Sequence, residues 1–328
     1  MINIVNNSND PRFNLALEEY ALNELFPGAE LAIIWQNKPT VVIGRNQNTI
    51  EEINKAYIRE KGINVVRRLS GGGAVYHDLG NLNFTFIVPS QKNVVSNFEK
   101  FTQPVLRALQ SLGVPAEFSG RNDLTINGKK FSGNAQYWSK DRLLHHGTLL
   151  FNSDLSVVQE ALQVRVDKLV SKGVKSVRSR VTNIYPYLKT PLEIGEFKRI
   201  LLEHMLQGNE HQHYELTTTD LRRVEQLMET RYAKWSWNYG HSPAFSLEKS
   251  RRFAGGQLNL KLNVKQGLIT EIGIYGDFFG RRDVRELAQS LQGQQYEEVA
   301  LRNFLEQIPF AEYFLAITMD EFLQCLLH

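Results

Sequence analysis

The densest run of residues able to do chemistry is Arg67-Arg68-Leu69-Ser70-Gly71-Gly72-Gly73-Ala74-Val75-Tyr76-His77. Glycines lack a Cβ, so a run of them lets the backbone take positive φ and come close to a ligand. Their N–H groups can then face an anion. Arg67 and Arg68 add forked cationic donors that suit phosphate or carboxylate. A flexible hairpin loop with solvated arginines accounts for the same residues, because a glycine loop alone is a weak signal. It is not a Walker loop: no Gly-Lys-Ser/Thr follows, and a hairpin comes next in place of a helix.

Lys130 stands just past the turn pair Asn127-Gly128, beside Ser132 and Gly133. From there it can project as a point charge over a cleft, or be an ordinary surface lysine on a hairpin. Strand alternation turns Lys129 the other way. Asp123 can orient that lysine, bind Mg²⁺ beside phosphate oxygens, or cap a turn. His77, His145 and His146 lack zinc spacing and read as hydrogen-bonded structural histidines. His211-x-His213 is a weak metal candidate in a polar stretch. The basic segment from Lys172 to Arg180, with Arg178 inside it, is either a mobile clamp over a phosphate ester or a solvated loop. Cys325 lies in an amphipathic pattern with Phe322 and Leu326 and reads as a buried helix residue, not a nucleophile.

The elements that must position these residues are legible in outline. Asp10-Pro11 caps and opens a helix. Leu31 to Trp35 and Thr40 to Gly44 read as strands joined by the turn Asn37-Lys38-Pro39. Thr49 with Glu52 forms a capping box for a helix that Gly62 ends. Leu82, Phe84, Phe86 and Val88 alternate with Asn83 and Thr85, a strand period. A helix running to Leu112-Gly113 must carry Pro104 near its first turn or be kinked by it. Asn127-Gly128 between apolar strands predicts a hairpin. Beyond residue 240, Leu258, Leu260, Leu262 and Val264 alternate, and helical periodicity runs from Asp283 to Leu291, Tyr296 to Leu305 and Met319 to Leu327. Hairpin-linked strands outnumber strands separated by crossover helices, which predicts an α+β fold with a mainly antiparallel or mixed sheet. The boundaries expected are 1–244 for a large domain and 245–328 for a small α+β one.

The chain has 328 residues, 42% hydrophobic and 22% charged, with net charge +3 and pI near 8.8. That balance is too even to predict a nucleic-acid or membrane partner. The single cysteine rules out a disulfide framework within the chain. No segment approaches ~18 uninterrupted apolar residues, and the N-terminus lacks a signal-peptide pattern, so cytoplasmic location is the expectation.

Taken together, these segments resemble the lipoate–protein ligase A family of the lipoate and biotin ligase superfamily. The resemblance rests on Asp10 to Ala16, Val41-Val42-Ile43-Gly44-Arg45, the Arg-Arg-x-Ser-Gly-Gly-Gly run through Asn81, and Ser119 to Leu124. It continues through Lys130-x-Ser-Gly, His145 to Leu150, Ser176 to Asn183, Trp235 to Asn238 and Pro243 to Phe245, nearly the whole chain. It implies a large mixed-sheet ligase-like catalytic domain with a small C-terminal accessory domain. It implies that lipoate and ATP, with Mg²⁺, give lipoyl-adenylate and pyrophosphate, and that the acyl group passes to a carrier lysine. By resemblance Lys130 is the key cation, bridging the lipoyl carboxylate and the α-phosphate. Gly44, Arg45, Arg68, Ser70, Gly71, Gly72, Gly73, His77, Asn81, Asp123, His146, Arg178 and Arg180 border lipoate and adenylate, with Asp123 also the metal candidate. The 176–183 loop folds over the adenylate. The implied acceptors are lipoyl domains of 2-oxoacid dehydrogenase acyltransferase subunits or the glycine cleavage H protein. Rival readings are an ATP-independent octanoyl or lipoyl transferase, a biotin ligase, and a non-catalytic lipoate-binding protein. The absence of cysteine from the loop motifs argues against a thioester transferase.

Overall fold

A computed structural model gives the structure of the chain. It describes residues 1–328 except residue 48 and residues 91–96, 163–180, 207–211, 240–246, 266 and 328. The chain divides into two compact units. The first gathers Met1–Val42, Glu52–Val66 and Val75–Asn238; the second gathers Ile43–Glu51, Arg67–Ala74 and Tyr239–His328.

In chain order the first strands are β1 (Ile2–Ile4), β2 (Leu31–Trp35), β3 (Thr40–Ile43), β4 (Asn64–Arg67), β5 (Val75–His77), β6 (Asn81–Pro89), β7 (Ala116–Ser119), β8 (Asp123–Ile126), β9 (Lys129–Ser139), β10 (Arg142–Leu150) and β11 (Gln212–Tyr214). Eight of them form one sheet in the order β11-β1-β2-β6-β10-β9-β8-β7, and β4-β3-β5 form a smaller one. β1 runs parallel to both β2 and β11, while the pairs from β2 to β7 across the large sheet are antiparallel. The sheet is therefore mixed, and the architecture is α+β as the sequence pattern predicts.

Helix α1 (Pro11–Asn23) starts where local chemistry dictates. Pro11 needs no hydrogen-bond partner for its nitrogen, and the Asp10 carboxylate accepts from the N–H groups of Arg12 and Phe13. The segment after Thr49 differs from the single helix expected. It forms α2 (Thr49–Glu52) and α3 (Lys55–Lys61). The break falls where Ile53 bridges Leu162 and Asn54 N–H donates to Ala161 O at 3.0 Å. Asn54 then caps α3, and Gly62 closes it at φ 62°. β2 and β3 are adjacent in sequence yet enter different sheets, so the Asn37-Lys38-Pro39 turn diverts the chain and does not fold a hairpin.

Helix α4 (Phe98–Ser111) holds Pro104 in its interior and lays Phe101, Val105, Leu106 and Leu109 against the core. Phe84, Phe86, Leu124, Ile126 and Phe131 form the sheet side of that core. Each such side chain contributes about 1.5–3 kcal/mol when fully buried.

In the second unit, β12 (Leu247–Phe253), β13 (Gly256–Lys265) and β14 (Leu268–Gly276) make an antiparallel sheet. Leu258, Leu260 and Leu262 are fully buried and pack with Leu287, Leu291, Leu301, Leu305 and Phe322 of the following helices. Cys325 is buried among them, and burial pushes its thiol up to about 11. Among the described residues no helix is long and apolar enough to cross a membrane.

Candidate active site

The first unit contains two groups of candidate functional side chains, and the first is built on the β8–β9 arm. Asn127 (φ 51°) and Gly128 (φ 74°) make the tight turn that Asn-Gly predicts. The arm then breaks regular pairing. Asp123 faces Gly133 and Leu124 faces Ser132, but Thr125 faces Lys130, so Phe131 is an extra residue in β9. Such a bulge re-aims neighbouring side chains. In a regular strand Lys130 and Gly133, three residues apart, would point to opposite faces. Here Phe131 and Ser132 are both buried, while Lys130 and Gly133 share the face of Asp123. The lysine chain runs over Gly133, where a Cβ would sit 2.9 Å from Nζ. It ends on Asp123, with Nζ 2.7 Å from Oδ1 and side chains 40% and 34% exposed. The result is a cation fixed at its tip with solvent beside it.

The backbone on the far side of this lysine is also tied. Val181 bridges Lys130 in parallel, and Thr182 N–H donates to Lys130 O at 2.9 Å. Arg178 and Arg180 lie just upstream, outside the described residues, as does His211. His213 is described, with Nδ1 2.9 Å from Asn3 Nδ2.

The second group is a buried polar face. Asn83 and Thr85, which alternate with the core residues of β6, are 1% and 0% exposed. Trp35 Nε1–H donates to Thr85 Oγ1 (2.9 Å), and Thr85 Oγ1–H to Glu18 Oε1 (2.5 Å). His146 Nδ1 lies 3.0 Å from the same carboxylate oxygen. Asn81 Nδ2–H donates to Asn83 Oδ1 and accepts from Thr148 Oγ1–H on its own Oδ1. His77 Nδ1 lies 3.1 Å from Asn37 Nδ2. His145 faces the opposite way, stacked on Phe101 at 4.9 Å with Nδ1 3.1 Å from Gln136, and burial holds it well below the usual histidine range. It is a structural histidine, as its lack of zinc spacing suggests. Among the described residues no three His, Cys, Asp or Glu side chains gather as a metal site.

The second unit holds the glycine loop. Arg68 Nε–H donates to Ser70 Oγ (3.0 Å), and its Nη2 to the carbonyls of Gly71 (2.6 Å) and Gly73 (2.9 Å). The arginine braces the loop from inside. Arg67 Nη1 donates to the carbonyls of Gly44, Arg45 and Gln47, and Nη2 to Thr49 Oγ1 at 2.6 Å. Burial lowers Arg67 to about 10, with the charge of Arg285 adding to the effect. Arg45 N–H donates to Ser70 O (2.8 Å), joining the 44–49 turn to the loop. Gly72 is left-handed at φ 90°, and a Cβ on Gly44 would fall 1.9 Å from Gly72 O. The sequence reading that glycines admit a close backbone approach therefore holds first for the protein's own backbone.

The structure thus pairs Lys130 with Asp123 and ties Asn81 to Thr148. It also joins Gly44, Arg45 and Arg68 to the loop Ser70, Gly71, Gly72 and Gly73. Sequence reading missed Glu18, Trp35, Asn37 and the buried roles of Asn83 and Thr85. The signal that could have found the last two is their even spacing from Asn81 along β6.

Comparison with known proteins completes the description. Residues 10–206 match the model of the lipoyl protein ligase A/B catalytic domain, and residues 242–326 match that of the bacterial lipoate protein ligase C-terminus. The chain is 49% identical over 320 residues to lipoate-protein ligase LplJ of Bacillus subtilis, covering 97% of each chain. It is 46% identical over 319 residues to lipoate–protein ligase 1 of Staphylococcus aureus, again covering 97% of each. Among solved structures, P. falciparum LipL1 in complex with lipoate superposes with TM-score 0.82 at 25% identity, over 100% of this chain and 99% of that one. A bi-partite lipoate protein ligase of Thermoplasma acidophilum, studied with its E2 lipoyl domain, gives TM-score 0.66 at 26% identity, over 75% and 98%. A lipoate-protein ligase A bound with ATP gives 0.64 at 25%, over 73% and 98%. End-to-end likeness at this identity, across both family models, places this chain in the lipoate–protein ligase family.

Proposed function

We propose that the chain is an ATP-dependent lipoate–protein ligase that forms lipoyl-adenylate and transfers the lipoyl group to a lysine of a carrier domain. The observation that carries this reading is Lys130, held over Gly133 by Asp123 in a chain that matches the family from end to end. Relatives bound to lipoate and to ATP, and one studied with an E2 lipoyl domain, supply the ligands by analogy.

The chemistry follows from the substrate. A carboxylate resists nucleophiles because its charge repels them and oxide is a poor leaving group. In the first step a lipoate oxygen attacks the α-phosphorus of ATP and pyrophosphate departs. Negative charge gathers at that phosphate, so a fixed ammonium lowers the barrier. We assign this role to Lys130. The loop from Ser70 to Gly73, with Gly44 and Arg45, is assigned to the phosphate and acyl groups, and Arg68 is assigned to holding that loop in shape. His77, Asn81 and His146 are assigned to the lipoyl side, and Arg178 and Arg180 to closure over the adenylate.

Mg²⁺ would accompany the nucleotide. Asp123 offers one oxygen beyond the one facing Lys130. That suits an ion that keeps water and phosphate as most of its ligands. Asp123 would hold it, and the ion would neutralise phosphate charge.

In the second step the amine of the carrier lysine attacks the acyl carbon and AMP leaves. An unperturbed lysine is only roughly 0.04% neutral at pH 7, so the complex must take a proton from the ammonium or hold the small neutral fraction close to the anhydride. Carrier domains of 2-oxoacid dehydrogenase acyltransferase subunits or the glycine cleavage H protein are the proposed acceptors. The proposed location is the cytoplasm, and the proposed domains are 1–244 and 245–328. The test is lipoate-dependent exchange between pyrophosphate and ATP with Mg²⁺ and no carrier. Exchange that needs lipoate supports the ligase. Acyl transfer from an acylated carrier without any exchange would replace it with a transferase.

A further inference from the structure

The segment Gly276-Asp277-Phe278-Phe279-Gly280-Arg281-Arg282-Asp283 has no part in the chemistry above, yet it supports two of the loops that do. All of these groups belong to the second unit. Gly276 N–H donates to Asn46 O at 2.6 Å. A Cβ on Gly71 would lie 2.4 Å from Phe278 O and 3.2 Å from Phe279 Cδ1. One on Gly72 would lie 3.2 Å from Phe279 Cε1. Phe278 and Phe279 are 1% and 6% exposed. Arg45 Nη2–H donates to Asp283 Oδ2 at 3.0 Å. Asp283 is itself fixed before it receives Arg45: its Oδ1 caps the helix Val284–Leu291 by accepting from Arg285 N–H, and its Oδ2 accepts from the Arg285 guanidinium.

A run of three glycines has many conformations of similar energy, and few of them present a fixed set of N–H groups. The Phe279 ring and the Phe278 carbonyl occupy the space into which the loop would otherwise relax. Asp283 does the same for the guanidinium of Arg45. We propose that Phe279 and Asp283 are positioning residues for the activation step, fixing the glycine loop and Arg45 in the geometry that receives the ATP phosphates. This rests on the ligase reading above.

The test uses the full chain with Phe279→Ala, Phe279→Leu and Asp283→Asn, measuring initial rates of lipoate-dependent pyrophosphate–ATP exchange against ATP concentration. Phe279→Ala raises the ATP KM about tenfold and Asp283→Asn about fivefold, because displaced groups bind phosphate less well. Phe279→Leu restores the KM to about twice the original value, since a bulky apolar side chain again fills the space. A merely structural role would shrink the folded fraction, lowering kcat and leaving KM where it was. An ATP KM within twofold of the unaltered protein in both Phe279→Ala and Asp283→Asn overturns the proposal. Should Phe279→Ala fail to fold, Asp283→Asn decides alone, because asparagine keeps the helix cap. No exchange in the unaltered protein sinks the ligase reading instead, an outcome the KM comparison cannot imitate.

Discussion

The Lys130 arm and the glycine loop both combine cations with small residues, and they use them in opposite ways. Lys130 is 40% exposed and meets the Asp123 carboxylate at its tip. Arg67 and Arg68 are each 7% exposed and turn N–H groups onto backbone carbonyls, Arg67 onto the 44–47 turn and Arg68 onto its own loop. Glycine follows the same division. Gly133 makes room for a lysine side chain, whereas Gly44 and Gly71 make room for neighbouring backbone. Burial and the kind of acceptor, not the presence of a positive charge, separate the cation proposed to meet substrate from the ones that brace a loop.

The sharpest way to break the contrast is at Lys130. Lys130→Ala should cut lipoate-dependent exchange about 10²–10³-fold. Its thermal unfolding should change by about 0.5 kcal/mol or less, as for other surface substitutions. Exchange within threefold of the unaltered protein would erase the difference between the two regions. Arg67→Met should do the reverse and cost about 3 kcal/mol, because the carbonyls of Gly44, Arg45 and Gln47 lose a buried donor. Urea unfolding followed by circular dichroism reads it, and a loss under about 1 kcal/mol would show that the guanidinium braces nothing.

A smaller effect comes from the two glycines. In Gly133→Ala the added methyl meets only the end of a flexible lysine, so the fold should survive while Lys130 leaves Asp123 and exchange falls about tenfold. In Gly71→Ala the methyl meets the Phe278 carbonyl, and stability should fall first. Equal losses of stability in both would blur the distinction.

The smallest expected effect is in acid. Burial raises Asp283, but hydrogen bonds from Arg285 and the charge of Arg45 outweigh it and bring the carboxyl down to about 2. A carboxylate with a depressed folded-state pKa adds stability above its ordinary value near 3.8 and loses it as pH falls toward 2. Asp283→Asn should therefore flatten the acid limb of the stability curve in that window by about 1–2 kcal/mol. An unchanged limb would remove Asp283 from the bracing network.

Local chemistry was readable where local forces decide. The Asp10 cap, the Asn127-Gly128 turn, the Gly62 stop and the alternation of Leu258, Leu260 and Leu262 each depend on a few neighbouring residues. What could not be read depends on distant partners. Nothing near Thr49 tells that Ile53 will pair with Leu162 and split the helix. Nothing near Trp35 tells that β2 and β3 will enter different sheets. Asn83 and Thr85 alternate with the core residues of β6, which marks them as sharing a face with Asn81, but that Thr85 would meet Glu18 of α1 depends on a partner 67 residues away. The arginines were read as donors to phosphate or carboxylate; the acceptors they meet in the structure, the carbonyls of Gly44, Arg45 and Gln47 for Arg67 and those of Gly71 and Gly73 for Arg68, are set by the tertiary fold.

The extra residue in β9 has a consequence for reading other chains. In an unbroken strand, partners on one face are separated by an even count, so a lysine and the glycine it crosses should stand two or four apart. Lys130 and Gly133 stand three apart, a parity violation that a ladder tolerates only by absorbing one residue. The defect is thus written in the spacing itself. Inserting or deleting one residue between the two would be a graver change than replacing either residue flanking them, because it would alter the phase of the arm and not merely its chemistry.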